Sequence, residues 1–164
     1  IFLVTVSRLV HKNANDDVIS ALVNLPKNVY FIVIGKGNLG PQLQKQARDL
    51  HVDDRVKFLG QISNTDLVDY LSICDIFIRP SRSEGFGISF IEAMAAKIPV
   101  ITTPVGGITD FIDDGETGVF CAPSILGDSG LRQYLINNAY ARVVEHYSWD
   151  NVAQKMQAVF EEVI

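Results

Sequence analysis

Residues 75–102 read Asp75-Ile76-Phe77-Ile78-Arg79-Pro80-Ser81-Arg82-Ser83-Glu84-Gly85-Phe86-Gly87-Ile88-Ser89-Phe90-Ile91-Glu92-Ala93-Met94-Ala95-Ala96-Lys97-Ile98-Pro99-Val100-Ile101-Thr102. An apolar run, Asp75–Arg79, enters a loop with two glycines, the loop opens a helical pattern over Gly87–Ala96, and a second apolar run follows at Pro99–Thr102. Short apolar runs separated by a helix describe strands buried on both faces of a parallel sheet. A helix opening directly after a strand presents unpaired N–H groups and about half an elementary positive charge, and phosphate binds there readily. Glu84 and Glu92 flank that opening with seven residues between them, placed to accept hydrogen bonds from sugar or ribose hydroxyls. The ligand class this fits is a nucleotide diphosphate carrying a sugar.

Working outward, the same alternation covers the chain. Strand-like runs lie at Ile1–Val6, Val29–Ile34, Val56–Leu59 and Val119–Cys121. Helical patterns lie at Asn15–Leu25, Pro41–Leu50, Thr65–Cys74, Gly107–Ile112, Leu131–His146 and Asp150–Val163, with Ser148 as an N-cap for the last. The pattern predicts an α/β fold, a doubly wound parallel sheet that is Rossmann-like in the broad sense. Ligands in such sheets bind outside the carboxyl ends of the strands, so Ser7–Lys12, Gly35–Gly40, Gly60–Ser63, Pro80–Gly87 and Thr103–Gly107 should line one rim.

At 164 residues the chain is the size of one domain, with 48% apolar and 20% charged residues. A net charge of −5 argues against a nucleic-acid partner, which needs a basic stripe. No apolar run approaches the roughly 18–20 residues that span a bilayer, and no signal peptide is visible. Beginning inside a strand-like run, the chain is expected to be a piece of a longer protein. Cys74 and Cys121 sit in apolar surroundings and read as free thiols of a reducing cytoplasm; His11, His51 and His146 show no ligand spacing, so no metal is assigned.

Several motifs have ordinary explanations. Gly35-Lys36-Gly37-Asn38-Leu39-Gly40 matches the dinucleotide pattern G-x-G-x-x-G, but it follows the second strand, and the next strand ends in Gly60-Gln61 with no acid for a ribose. A tight turn at the rim is the better reading. Ser89-Phe90-Ile91-Glu92 fits a capping box, which would give Glu92 a structural role. Glu84, beside Gly85 and Gly87, has no such explanation. Arg8 and Lys12 follow the first strand and could be solvated cations, yet they stand where a diphosphate would lie. Trp149, Tyr140 and Tyr147 read as packing residues.

These residues together resemble the C-terminal, nucleotide-sugar-binding domain of GT-B fold, family 4 retaining glycosyltransferases (glycosyl transferases group 1), over nearly the whole chain. Ser7-Arg8-Leu9 with Lys12 is similar to the family's Gly-Arg-Leu…Lys segment, Val33–Gly37 to its Gly-x-Gly turn, and Arg55–Gly60 to its third strand. Glu84-Gly85-Phe86-Gly87 through Glu92-Ala93-Met94-Ala95 resembles its E-x7-E motif. Pro99–Ile101, Val105–Gly107 and Tyr147-Ser148-Trp149 follow in the family's order. Departures are Ser7 for a usual glycine, Asn13 after the lysine, Thr109-Asp110 for Pro-Glu, and a Pro123–Leu131 link about one helix short.

The resemblance implies that Arg8 and Lys12 neutralise the donor diphosphate, Glu84 holds sugar hydroxyls, and Gly85 and the amides over Phe86, Gly87 and Ile88 contact sugar and phosphate. Glu92 would grip the ribose diol and Ile62 would lie against the base. It implies transfer of a hexosyl group to an acceptor hydroxyl with retention, in polysaccharide, lipopolysaccharide or glycolipid synthesis, with no metal or other cofactor beyond the nucleotide diphosphate sugar. The implied partners are that donor, a glycan or lipid-linked acceptor and an N-terminal acceptor domain of the same protein, without which residues 1–164 should bind donor weakly and not turn over. The implied location is cytoplasmic, with peripheral contact at the inner face of the membrane left open. A nucleotide-sugar 2-epimerase and a non-catalytic nucleotide-sugar-binding module are the alternatives. Arg8→Ala and Glu84→Ala are expected to abolish transfer and leave thermal stability nearly unchanged.

Overall fold

The computed structural model describes residues 1–120 and 129–147. Six strands are described: β1 (Phe2–Val6), β2 (Tyr30–Ile34), β3 (Val56–Gly60), β4 (Ile76–Arg79), β5 (Val100–Thr102) and β6 (Val119–Phe120). They form one parallel sheet in the order β3-β2-β1-β4-β5-β6. The connections carry α1 (Asn15–Ala21), α2 (Gly40–Asp49), α3 (Asn64–Ser72) and α4 (Ile88–Ala95), and α5 (Ser129–Tyr147) follows β6. This is the expected doubly wound, Rossmann-like arrangement.

Alternation along the strands builds two cores. Phe31 and Val33 pack with Leu3, Ile19, Leu22 and Leu43 on the side of α1 and α2. Ile32 and Ile34 join Leu67, Leu71, Phe90 and Met94 on the side of α3 and α4. Successive side chains leave a strand on opposite faces, so a sheet covered on both sides needs apolar residues at every position. That requirement is what makes the central strands read as unbroken apolar runs.

Two boundaries differ from expectation for physical reasons. The pattern over Asn15–Leu25 divides into α1 and a 3-10 turn at Leu22–Asn24, because Pro26 drives Leu25 into extended backbone (φ −90°, ψ 153°). The buried Arg55 donates at 2.7 Å to the Leu22 carbonyl, which also accepts the Leu25 amide. The segment near Gly107–Ile112 is a 3-10 turn, Gly106–Asp110. Cys121, Ser148, Trp149, the helix expected over Asp150–Val163 and the link from Pro123 to residue 128 lie outside the described residues.

The strand order places the topological switch between β1 and β4, where successive connections leave in opposite directions. The loops after those strands therefore part at the carboxyl edge and open a crevice. It is there that the loop residues singled out in the sequence converge.

Candidate functional site

The two loops flanking the switch point are sewn together. After β1 the chain turns at Arg8, whose carbonyl accepts from the Asn13 Nδ2 at 2.6 Å, and passes through a 3-10 turn, His11–Asn13, that carries Lys12. The buried Ala14, in the left-handed conformation (φ 54°), ends that turn and starts α1. The loop after β4 is tied to it from the other side. The Arg82 amide donates to the Lys12 carbonyl at 2.8 Å, and its guanidinium forks onto Asp16 at 2.9 Å and reaches Asp17 at 2.8 Å. That fork holds the Asp16 carboxyl below its usual range. Lys12 is thereby fixed to the same framework as Glu84.

Glu84 is clasped on both oxygens. The Arg79 Nη2 lies 2.6 Å from Oε2, the Gly85 amide donates to Oε1 at 3.0 Å, and the Lys12 Nζ stands 3.8 Å from Oε1. Arg79, the last residue of β4, is itself buried. Its Nη1 donates to the Val6 carbonyl at 3.1 Å and to the Ser89 hydroxyl at 2.8 Å, and its guanidinium lies 4.2 Å from the centre of the Phe90 ring. Burial pulls its pKa down, and the charge of Glu84 opposes that pull. Glu84 is thus half of a buried ion pair, so its removal would strand a charge. The expectation that Glu84→Ala leaves stability untouched does not survive this geometry.

The loop enters α4 through Gly87, the N-cap, at φ 76°. A Cβ there would stand 2.6 Å from the Phe90 ring, so only glycine fits the turn. The capping box expected at Ser89–Glu92 does not form: Ser89 lies inside the helix and its hydroxyl accepts from Arg79. The N-cap offers no side chain to the first amides of α4, leaving them for water or a ligand. Ile88 and Phe86 are exposed, with Phe86 resting 5.5 Å from the Phe111 ring. Gly107 donates to the Gly85 carbonyl at 2.8 Å, pinning the loop from the β5 side.

Glu92 stands further along α4, half-buried, and burial raises its pKa. Among the described residues no hydrogen bond or ion pair reaches its carboxylate. Arg8 and Ile62 meet elsewhere on the rim, in an open depression of about 520 Å³ that also takes in Ser7, Lys36, Gln61 and Asn64. The Arg8 side chain is exposed and makes no hydrogen bond or ion pair among the described residues. The Gly35–Gly40 segment is a rim turn: Leu9 donates to the Lys36 carbonyl at 3.0 Å and Leu39 to the Leu9 carbonyl at 3.1 Å. Its first two glycines face the backbones of Ser7 and Leu9.

The structure therefore joins Lys12, Glu84 and Gly85 directly, places Phe86, Gly87 and Ile88 on the same loop, gathers Arg8 with Ile62, and leaves Glu92 unlinked to either group. Arg79, Arg82 and Lys36 were not foreseen as site residues. Arg79 carried a signal, since an arginine ending an apolar strand of a covered sheet must find a buried partner. Among the described residues no three His, Cys, Asp or Glu side chains gather to hold a metal ion, and no helix is long and apolar enough to cross a membrane. Cys74 is buried and free, its thiol pushed up to about 11 by burial and by Asp75.

Residues 1–142 match the family model described as Glycosyl transferases group 1. An uncharacterized glycosyltransferase of Methanocaldococcus jannaschii is 31% identical over 95% of this chain and 43% of its own length. A glycogen synthase of Mycobacterium tuberculosis is 30% identical over 96% of this chain and 42% of its own. The chain thus spans less than half the length of these curated relatives. Among solved structures, Anabaena Alr3699/HepE in complex with UDP-glucose shares the fold, with a TM-score of 0.90 at 24% identity over 98% of this chain and 48% of that one.

Proposed function

The chain belongs to the glycosyl transferases group 1 family, and from that membership we propose that its carboxyl rim binds a nucleotide diphosphate sugar for transfer of the sugar to an acceptor hydroxyl. The observation that carries this reading is the meeting of Lys12 and Glu84 at 3.8 Å across the switch point. A cation for the diphosphate and a carboxylate for sugar hydroxyls stand side by side there, with the Arg8-lined depression beyond them for the nucleoside.

Breaking the anomeric C–O bond leaves negative charge on the β-phosphate oxygen. Arg8, Lys12 and the first amides of α4 oppose it, and preorganised donors of this kind are worth about 10²–10³ in rate apiece. No metal step is invoked. Glu84 keeps acceptor capacity: a carboxylate has about four lone-pair positions, and Arg79 and Gly85 occupy two. Glu92 is assigned to the ribose diol, a role that would repay its raised pKa with two hydroxyl hydrogen bonds. We further assign the protein to the GT-B, family 4 enzymes, with retention of configuration, a hexosyl donor and an acceptor held by a second, N-terminal domain. A polysaccharide, lipopolysaccharide or glycolipid acceptor would fit that assignment.

Calorimetric titration with UDP, GDP and ADP and with the glucose conjugate of each tests the reading. One nucleotide pair is expected to bind, and Arg8→Ala and Lys12→Ala to weaken the diphosphate and the conjugate alike. A protein that binds none of the six, or variants that bind as the native chain does, would refute it.

A further inference from the structure

We propose that Arg79 is a positioning residue for the donor sugar: it holds Oε2 of Glu84 from behind, so that the free lone pairs of that carboxylate point into the crevice at a fixed angle. The inference rests on the reading of Glu84 given above and adds a residue to it.

Arg79 makes four contacts that join three elements at once. Its Nη1 ties the end of β1, through the Val6 carbonyl, to the first turn of α4, through Ser89. Its Nη2 meets Glu84 in the loop between them, and its flat face stacks on Phe90. A planar guanidinium with each terminal nitrogen engaged fixes direction as well as distance, which a lysine ammonium cannot do. Stability gives a poor account of the arrangement. The Arg79 Nε is buried with no partner among the described residues, an uncompensated cost. An apolar pair of similar volume would commonly serve the fold as well or better. What an apolar pair could not do is aim a carboxylate.

The test compares how much the sugar adds to binding. The protein is titrated with UDP, GDP and ADP and with UDP-, GDP- and ADP-glucose, and the affinity ratio of conjugate to diphosphate is taken for the pair that binds. Arg79→Met is expected to lower that ratio about tenfold, as Glu84→Gln does, with diphosphate affinity within about twofold of native. The double variant Arg79→Met/Glu84→Gln should lose no more than either single one, because both act on one contact. Arg79→Lys should fall between native and Arg79→Met. An unchanged ratio in Arg79→Met, or an equal loss for diphosphate and conjugate, overturns the inference while leaving the nucleotide-sugar reading standing. Should Arg79→Met not fold, Arg79→Lys decides alone, and a native ratio there overturns it. If the native protein binds no probe, the reading of the site fails first and takes this inference with it.

Discussion

Replacing Glu84 by alanine exposes the energetic structure of the site. The Arg79 side chain is 6% exposed and the Glu84 side chain 11%, so the pair is shielded from water almost completely. Deleting one partner of a buried ion pair leaves the other charge uncompensated and costs about 3–5 kcal/mol. Glu84 lies nearer the surface, and water entering its place would solvate Arg79 in part, which favours the lower figure of about 3 kcal/mol. Unfolding entropy of about 2.1 cal/mol/K per residue gives about 0.34 kcal/mol/K for 164 residues, and hence a fall in Tm of about 9 °C. Arg8→Ala is the control: an exposed side chain without a partner among the described residues should shift Tm by no more than about 1–2 °C. Arg79→Met/Glu84→Met removes both charges and should melt near the native temperature, because no ion is left stranded. Thermal denaturation followed by circular dichroism at neutral pH reads all three. If Glu84→Ala melts within about 2 °C of native, the buried-pair account is wrong, and the nearly unchanged stability expected from the sequence stands.

Two further outcomes follow from the framework around that pair. Gly106→Ala places a Cβ on the Glu84 carbonyl oxygen at φ 58° and should lower both Tm and nucleotide-sugar affinity, whereas at Gly85 a Cβ meets nothing within 4 Å and Gly85→Ala should keep a native Tm. Asp16 has its pKa depressed below 3.8, chiefly by the Arg82 hydrogen bond, so its contribution is complete above the unfolded-state value and fades as pH falls through the folded one. Arg82→Gln should therefore destabilise by up to about 1 kcal/mol at pH 6 and by less near pH 2–3. Equal destabilisation at both pH values would show that the Arg82 Nη1 hydrogen bond to the His11 carbonyl at 2.7 Å, not the contact to Asp16, holds the two loops.

The fold was legible because burial on both faces leaves a mark no loop can imitate. Phe31 through Ile34 must each be apolar when alternate residues enter different cores, and a run of that kind between helices admits few other architectures. Ends of elements were less legible, since they depend on neighbours beyond the pattern. Pro26 shortens α1 through the residue before it, and Ser63 starts α3 at Asn64 by accepting from the Asp66 amide at 3.1 Å. The capping-box alternative for Glu92 fails for a related reason. Ser89 and Glu92 have the right spacing, but a cap is defined by the backbone that precedes it, and Gly87 had already taken that place in the left-handed region.

The site divides in the same way between local and distant causes. Glycine, carboxylate and cation positions on the rim follow from where strands end, and a parallel sheet puts all those ends on one edge. Arg79 follows from local sequence only in part. Only the β1–β4 pairing, Leu3 beside Ile76 and Val4 beside Phe77, brings the Val6 carbonyl within its reach. Its partners lie 73, 10 and 5 residues away along the chain. The sequence states that an arginine is present and that burial would force it to find an acid. Glu84 is near enough in sequence to be that acid, but the Val6 carbonyl that fixes the guanidinium behind it is brought there by the switch in strand order.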